Sequence, residues 1–165
     1  MLSIPSRPTR TFFVTSVTAG RRTLLQSERM ARLLLDVLYS YRSQGRFLLH
    51  EFVIMPNHFH LLVTPAADVS LEKALQFIKG GFSYRARNEL GFDSAIWEGG
   101  FTNHCIRDWE DYQQHCAYVR ENPVKANLVE RSAMYPYSSA FPGMELDAAP
   151  LGLKPISQAS APRGS

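Results

Sequence analysis

The chain has 165 residues, 45% hydrophobic, 20% charged and 12% aromatic, with 10 Gly, 10 Pro and only 2 Cys. That suits one domain with a single large core and excludes general disorder, a disulfide framework and a long apolar membrane span or signal stretch. The net charge is +3 with a pI of about 9.0, but the balance is lopsided: residues 1–50 carry +6 and residues 51–165 carry −3.

Arginine supplies most of the positive charge, and its planar fork suits phosphate. An anionic partner is one reading of the basic first third; an ordinary solvated surface is the other. The two cysteines, Cys105 and Cys116, read as thiols of a reducing cytoplasm.

Residues 1–10 read as an irregular arm. Thr11 to Thr18 is β-branched and aromatic, a strand closed by Ala19-Gly20. Ser27 is an N-cap, and a helix follows to about Gln44 with Met30, Leu34, Val37, Leu38 and Tyr41 at helical spacing. Gly45 ends it. Arg46 to Met55 is a second strand, Pro56-Asn57 a turn, and His58 to Thr64 a third strand, so the pair forms a hairpin. Ser70 caps a second helix to about Leu90, in which Gly80-Gly81 predicts a weak point or kink.

Ala95 to Ile106 has strand character interrupted by Gly99-Gly100. Asp108 caps a third helix expected to stop before Pro123. Residues 143–165 read as a flexible tail, leaving residues 1–142 as a single domain. The order β-α-β-β-α-β predicts an α+β, ferredoxin-like antiparallel sheet with two helices on one face. The third helix is an addition that can lie across the other face.

Two groups of residues carry chemistry. In a strand, His58 and His60 project from one face while Phe59, Leu61 and Val63 face the core. Two imidazoles on one face form half of a metal site, or simply two surface histidines. On the third helix, Trp109, Tyr112, Cys116 and Val119 form a buried stripe. Tyr118 lies about 120–180° around the helix from most of them, on a face with Asp111, Gln114, His115 and Asn122. A phenol, with its usual pKa near 10, is a weak nucleophile. Attack on a phosphodiester by Tyr118 would need a cation on the non-bridging oxygens, and two histidines with Asn122 could hold one.

The run Met55-Pro56-Asn57-His58-Phe59-His60-Leu61-Leu62-Val63 resembles the HUH motif of single-tyrosine transposases. Tyr118-Val119-Arg120-Glu121-Asn122-Pro123-Val124 resembles the tyrosine helix of the REP-associated tyrosine transposases. Phe77-Ile78-Lys79-Gly80, Ile96-Trp97, Phe101, Ile106-Arg107-Asp108 and Tyr135-Pro136-Tyr137-Ser138-Ser139-Ala140 extend the likeness over about residues 11–141.

The resemblance implies a bacterial, cytoplasmic, nucleoid-associated enzyme that binds REP-type DNA hairpins and cleaves and rejoins single-stranded DNA. Tyr118 would be the nucleophile of a covalent 5′-phosphotyrosine intermediate. His58, His60 and Asn122 would hold Mg²⁺ or Mn²⁺. The branch is typically monomeric, with no membrane partner.

Phe59 stands where a smaller aliphatic is usual, Glu98-Gly99-Gly100 where basic or polar residues are common, and Asn127 where glycine is common. Asn127 tolerates the left-handed conformation. Arg7, Arg10, Arg21, Arg22, Lys79, Arg85 and Arg87 are candidates for DNA contact, although taken singly each reads first as a solvated cation. The alternative function is a domesticated hairpin-binding module that no longer cleaves. A histidine-based phosphoesterase or nucleotide transferase ranks last, because Leu62 breaks both the H-x-H-x-H and the H-x-S/T patterns of those enzymes.

Overall fold

A computed structural model describes residues 9–154. Strands β1 (Phe12–Val17), β2 (Phe47–Met55), β3 (His58–Pro65) and β4 (Thr102–Cys105) form one sheet in the order β2-β3-β1-β4, antiparallel at each pairing. Helices α1 (Glu28–Ser43), α2 (Leu71–Leu90) and α3 (Trp109–Lys125) complete the fold. This is the ferredoxin-like order expected from the sequence.

α1 and α2 cover one face. Leu34, Leu38, Leu75, Ile78 and Phe82 pack there on Val14, Phe52, Phe59 and Leu61, all essentially solvent-free. Burial of such side chains, at roughly 1.5–3 kcal/mol each, is the main source of stability. The helix starts follow the capping residues: Ser27 accepts from the Met30 amide, Ser70 from Lys73 and Asp108 from Asp111.

β2 is irregular. Its pairing with β3 slips between Leu49 and Glu51, a bulge that keeps both Leu49 and Phe52 on the helical face and sends His50 to the other. There His50 Nε2 lies 2.8 Å from Thr64 Oγ1, and Nδ1 lies 3.1 Å from the Asp147 carbonyl.

α2 runs unbroken through Gly80-Gly81. A Cβ at Gly81 would meet the Tyr41 hydroxyl at 2.7 Å, so this glycine lets α1 and α2 approach; at Gly80 nothing lies within 4 Å. Gly80→Ala is therefore expected to stabilise the chain by up to about 1 kcal/mol through helix propensity. Gly81→Ala should destabilise by about 1 kcal/mol because Tyr41, stacked on Phe77, must move. Paired urea unfolding curves check both signs.

α3 crosses the other face. Val119 packs with Val53, Met55 and Tyr135, and Tyr112 packs with Leu62 and Ile106. It continues past the expected stop: Pro123 lies inside its last turns, buried, and the helix ends at Lys125. A proline this close to the C-terminus forfeits one intrahelical bond, and burial offsets that loss. The end is a Schellman turn, with Asn127 N–H donating to Val124, Leu128 N–H donating to Pro123, and Asn127 at φ +61°.

Residues 143–154 are not the flexible tail expected from their composition. Met144 and Leu146 pack against the main core, and Ala149 and Leu153 against the α3 side. Asp147 accepts both Arg42 guanidinium bonds (2.9 and 3.0 Å) and the Leu49 amide (2.8 Å). Along the outer edge of β2, Ile54 N–H donates to the Tyr137 carbonyl, Ser139 N–H to Phe52 and Asp147 N–H to Leu49. Ala, Pro and Gly suggest mobility because the few anchoring residues act through partners about 100 positions away. Residues 155–165 of the expected tail lie outside the described residues.

Candidate active site

The antiparallel register of β1 and β3 sets Thr15 opposite His60 and Val17 opposite His58. Both imidazoles lie on the face crossed by α3. His60 is 5% exposed, and its Nδ1 is 2.8 Å from Thr15 Oγ1. His58 is half-buried, and its Nδ1–H donates to Asn57 Oδ1 at 2.7 Å. Asn57 Oδ1 only accepts, so the His58 ring proton sits on Nδ1 and its Nε2 lone pair is free, while the Thr15 hydroxyl holds the His60 ring through Nδ1 and leaves Nε2 outside that contact.

The two rings lie 4.8 Å apart. That donor set fits a divalent cation: two neutral imidazoles, each oriented through its second nitrogen.

Burial, and then the neighbouring His58, push the His60 pKa down to about 3; burial and then Arg21 also lower that of His58. Both are therefore in the neutral, ligand form at neutral pH. The unfolded chain protonates the same imidazoles near 6.5. Between pH 6.5 and 3 the unfolded state thus binds the extra proton, and stability falls as pH falls, by about 1.4 kcal/mol per pH unit for a group such as His60. Urea unfolding in chelator at pH 7 and pH 5 should show this loss, and His60→Gln should flatten it.

The tyrosine comes from α3. Tyr118 is 46% exposed, and its ring stands 5.4 Å from that of His60, nearly edge-on. Phe13, opposite His104 on β1, touches the same group: its ring centroid is 5.1 Å from His60 and 5.7 Å from Tyr118. Asn122 follows one turn after Tyr118, half-buried, on the same side of the helix.

α3 is fixed on the sheet by an ion pair. Arg120 Nε donates to Glu51 Oε1 at 2.9 Å, and Ser139 Oγ donates to the same oxygen at 2.5 Å. Tyr135 Oη donates to the Ile54 carbonyl at 2.6 Å. The Tyr135–Ala140 motif thus has a structural task, holding the tyrosine helix over the histidines.

The basic candidates divide. Arg21 and Arg22 lie beside the His58 end of the sheet, where Arg21 is exposed and Arg22 donates to the Ala95 carbonyl. Arg10 lies at the opposite end of β1, lining a groove of about 450 Å³ with Phe12, Glu72 and Asn103. Lys79, Arg85 and Arg87 are on α2, behind the sheet. Two of these depart from the expectation of free cations. Lys79 donates to the Gly100 carbonyl at 2.6 Å and to Glu98, fixing the loop before β4. Arg85 bridges Asp36 and Glu89, both at 2.6 Å. Arg87 is exposed. Arg7 lies outside the described residues.

Sequence reasoning missed Thr15, Phe13 and His104. Strand alternation places Phe13 and Thr15 together, but only the long-range register brings them to His60.

A family model described as "Transposase IS200 like" matches residues 11–122. The chain belongs to the IS200-like transposase family. As a member it is a transposase-type enzyme, and its relatives define the branch. A REP-associated tyrosine transposase of Escherichia coli (strain K12) is 28% identical over 130 residues, covering 78% of this chain and 75% of the relative. A Haemophilus influenzae relative is 28% identical over 134 residues, covering 71% and 76%. Among solved structures, a REP-associated tyrosine transposase bound to a REP hairpin superposes with a TM-score of 0.62 at 26% identity, covering 84% of this chain and 81% of its own. The IS200-like match ends at Asn122, so it spans both His58-Phe59-His60 and the tyrosine. Among the described residues, no helix is long and apolar enough to cross a membrane.

Proposed function

We propose that this transposase binds short DNA hairpins of the REP type and cleaves single-stranded DNA beside them through a covalent phosphotyrosine on Tyr118. The observation that carries the reading is the approach of an exposed phenol to His60, one of two neutral imidazoles that stand side by side and are each held through Nδ1.

His58, His60 and Asn122 would hold one Mg²⁺ or Mn²⁺. The cation would supply positive charge to the non-bridging oxygens of the scissile phosphate. Tyr118 Oη, giving up its proton, attacks phosphorus. The bond to the 3′-oxygen breaks, and that oxygen takes a proton and leaves as a 3′-hydroxyl. The 5′-phosphate stays on the tyrosine, and attack by a 3′-hydroxyl reverses the step without ATP.

Thr15 and Asn57 orient the imidazoles. The Glu51–Arg120 pair holds the helix so that the phenol stays over them, a preorganisation that leaves little motion for the reaction itself to supply. Arg21 and Arg22 contact the flanking backbone. The relative solved with a REP hairpin supports the choice of substrate. We infer that the chain acts as a monomer in the bacterial cytoplasm, at the nucleoid.

The test is incubation of the full chain with hairpin oligonucleotides carrying single-stranded flanks, with Mn²⁺ or with chelator. A denaturation-resistant protein–DNA adduct that needs Mn²⁺ is expected. Tight hairpin binding with no cut strand would instead indicate a non-cleaving hairpin-binding module.

A further inference from the structure

A second group of ligating side chains lies on the far side of Phe13 from His60. His104 comes from β4, and Asp111 and His115 come from the start of α3, one turn apart on the same side of the helix. His104 Nε2 is 2.8 Å from Asp111 Oδ2, and His115 Nδ1 is 3.1 Å from Asp111 Oδ1. One ligand atom from each residue lies within 4.8 Å of the others. Around a tetrahedral ion with bonds of about 2.0–2.1 Å, ligand atoms stand roughly 3.3 Å apart, so side-chain adjustment alone closes the group on a cation. The His104 and His115 rings are stacked, 4.9 Å between centroids.

We propose that His104, Asp111 and His115 form a second metal site, separate from the His58–His60 pair, for an ion of the zinc class. Two imidazoles and a carboxylate are a donor set such ions favour, with a remaining position for water. His104 is 39% exposed, giving the ion a route in, while Asp111 is 3% exposed and fixed.

The Arg107 amide donates at 2.9 Å to Asp111 Oδ2, the oxygen that His104 also contacts, and so orients the carboxylate. Burial acts to raise the Asp111 pKa, but the Arg107 amide and the histidines outweigh it and hold the group at about 2, so the ligand is ionised at working pH. Without an ion, Asp111 holds both rings, its carboxylate partnering His104 Nε2 at 2.8 Å and its main-chain carbonyl partnering His115 Nδ1 at 2.9 Å, which keeps the site assembled.

The site joins β4, a four-residue edge strand, to the helix that carries the tyrosine. Tyr118 follows His115 by three residues, and the Phe13 ring touches both, at 4.8 Å from His115 and 5.7 Å from Tyr118. A bound ion therefore sets the position of the first turns of α3 relative to the sheet, and with it the phenol. His115 and His104 are positioning residues in this scheme.

The experiment isolates the second site by using the full chain with His58→Ala and His60→Ala. This variant is titrated with Zn²⁺ and with Co²⁺, whose visible absorption reports nitrogen ligation, and melted with and without metal. One equivalent of metal bound, and a melting temperature raised by several degrees, are expected. Adding His104→Gln and His115→Gln should weaken that binding at least about tenfold and abolish the melting shift. If the double replacement fails to fold, the exposed His104→Gln alone serves in its place. No binding at about 100 μM metal in the variant lacking the first pair overturns the proposal. So does binding that persists unchanged when His104 is replaced. Neither outcome depends on cleavage, so this test fails or succeeds independently of the proposed reaction.

Discussion

Tyr118→Phe should eliminate the protein–DNA adduct and lower strand cleavage by at least about 10⁴-fold, because no other group can take the place of the attacking oxygen. The change removes a single atom from a side chain that is 46% exposed, while α3 is held in place by other residues, Val119 and Arg120 among them. The ring remains beside His60 and Phe13. Folding and hairpin binding should therefore change by less than about twofold, since the DNA is gripped by groups that the substitution leaves intact. Denaturing gels with end-labelled hairpin read the adduct, and equilibrium binding reads the affinity. A persistent adduct in the Phe variant would reassign the nucleophile.

The second large effect comes from His60. His60→Ala should reduce cleavage by at least about 10³-fold, a loss matched by chelator in the unaltered chain. Mn²⁺ should restore the chelated protein and leave the variant inactive. Thr15→Val is the informative companion. It removes the hydroxyl that partners His60 Nδ1 and so frees the ring to turn. Loss of such an orienting partner typically costs about 10–100-fold. A Thr15→Val loss as large as that of His60→Ala would mean that the threonine has a direct role on the substrate. The metal concentration giving half-maximal rate should rise in Thr15→Val, which a purely structural defect would not produce.

Much of this arrangement is legible in the order of the amino acids alone. Ser27, Ser70 and Asp108 mark three helix starts, because an N-cap acts on amides two or three residues away. Alternation in His58–Val63 separates the imidazoles from Phe59, Leu61 and Val63, since a strand has a period of two. What escapes such reading depends on long-range partners. The His50 bulge is visible only against β3, and Thr15 reaches His60 across 45 residues.

Pro123 misleads for a different reason. The rule that proline stops a helix is strong in the interior and weak in the last turns, where few bonds remain to be lost. β4 is blurred by Gly99-Gly100, so the sequence does not align its His104 with Asp111 and His115. Nor does it sort the cations on α2, because Lys79 and Arg85 are engaged by a loop and by another helix.

The hydrogen bonds from Tyr137, Ser139 and Asp147 to the outer side of β2 also bear on how copies of the chain can meet. A sheet can extend into a neighbouring molecule only through a strand whose outward amides and carbonyls are open. On β2, the Ile54 amide, the Leu49 and Phe52 carbonyls and the Leu49 amide are already engaged by the chain itself. A sheet continued through β2 would first have to peel away the segment that carries Tyr135 and Ser139, and with it the support of the tyrosine helix. The opposite border, β4, is four residues long and polar at Thr102, Asn103 and His104. Joining two sheets through β2 and keeping the phenol over the histidines are therefore competing states of this chain.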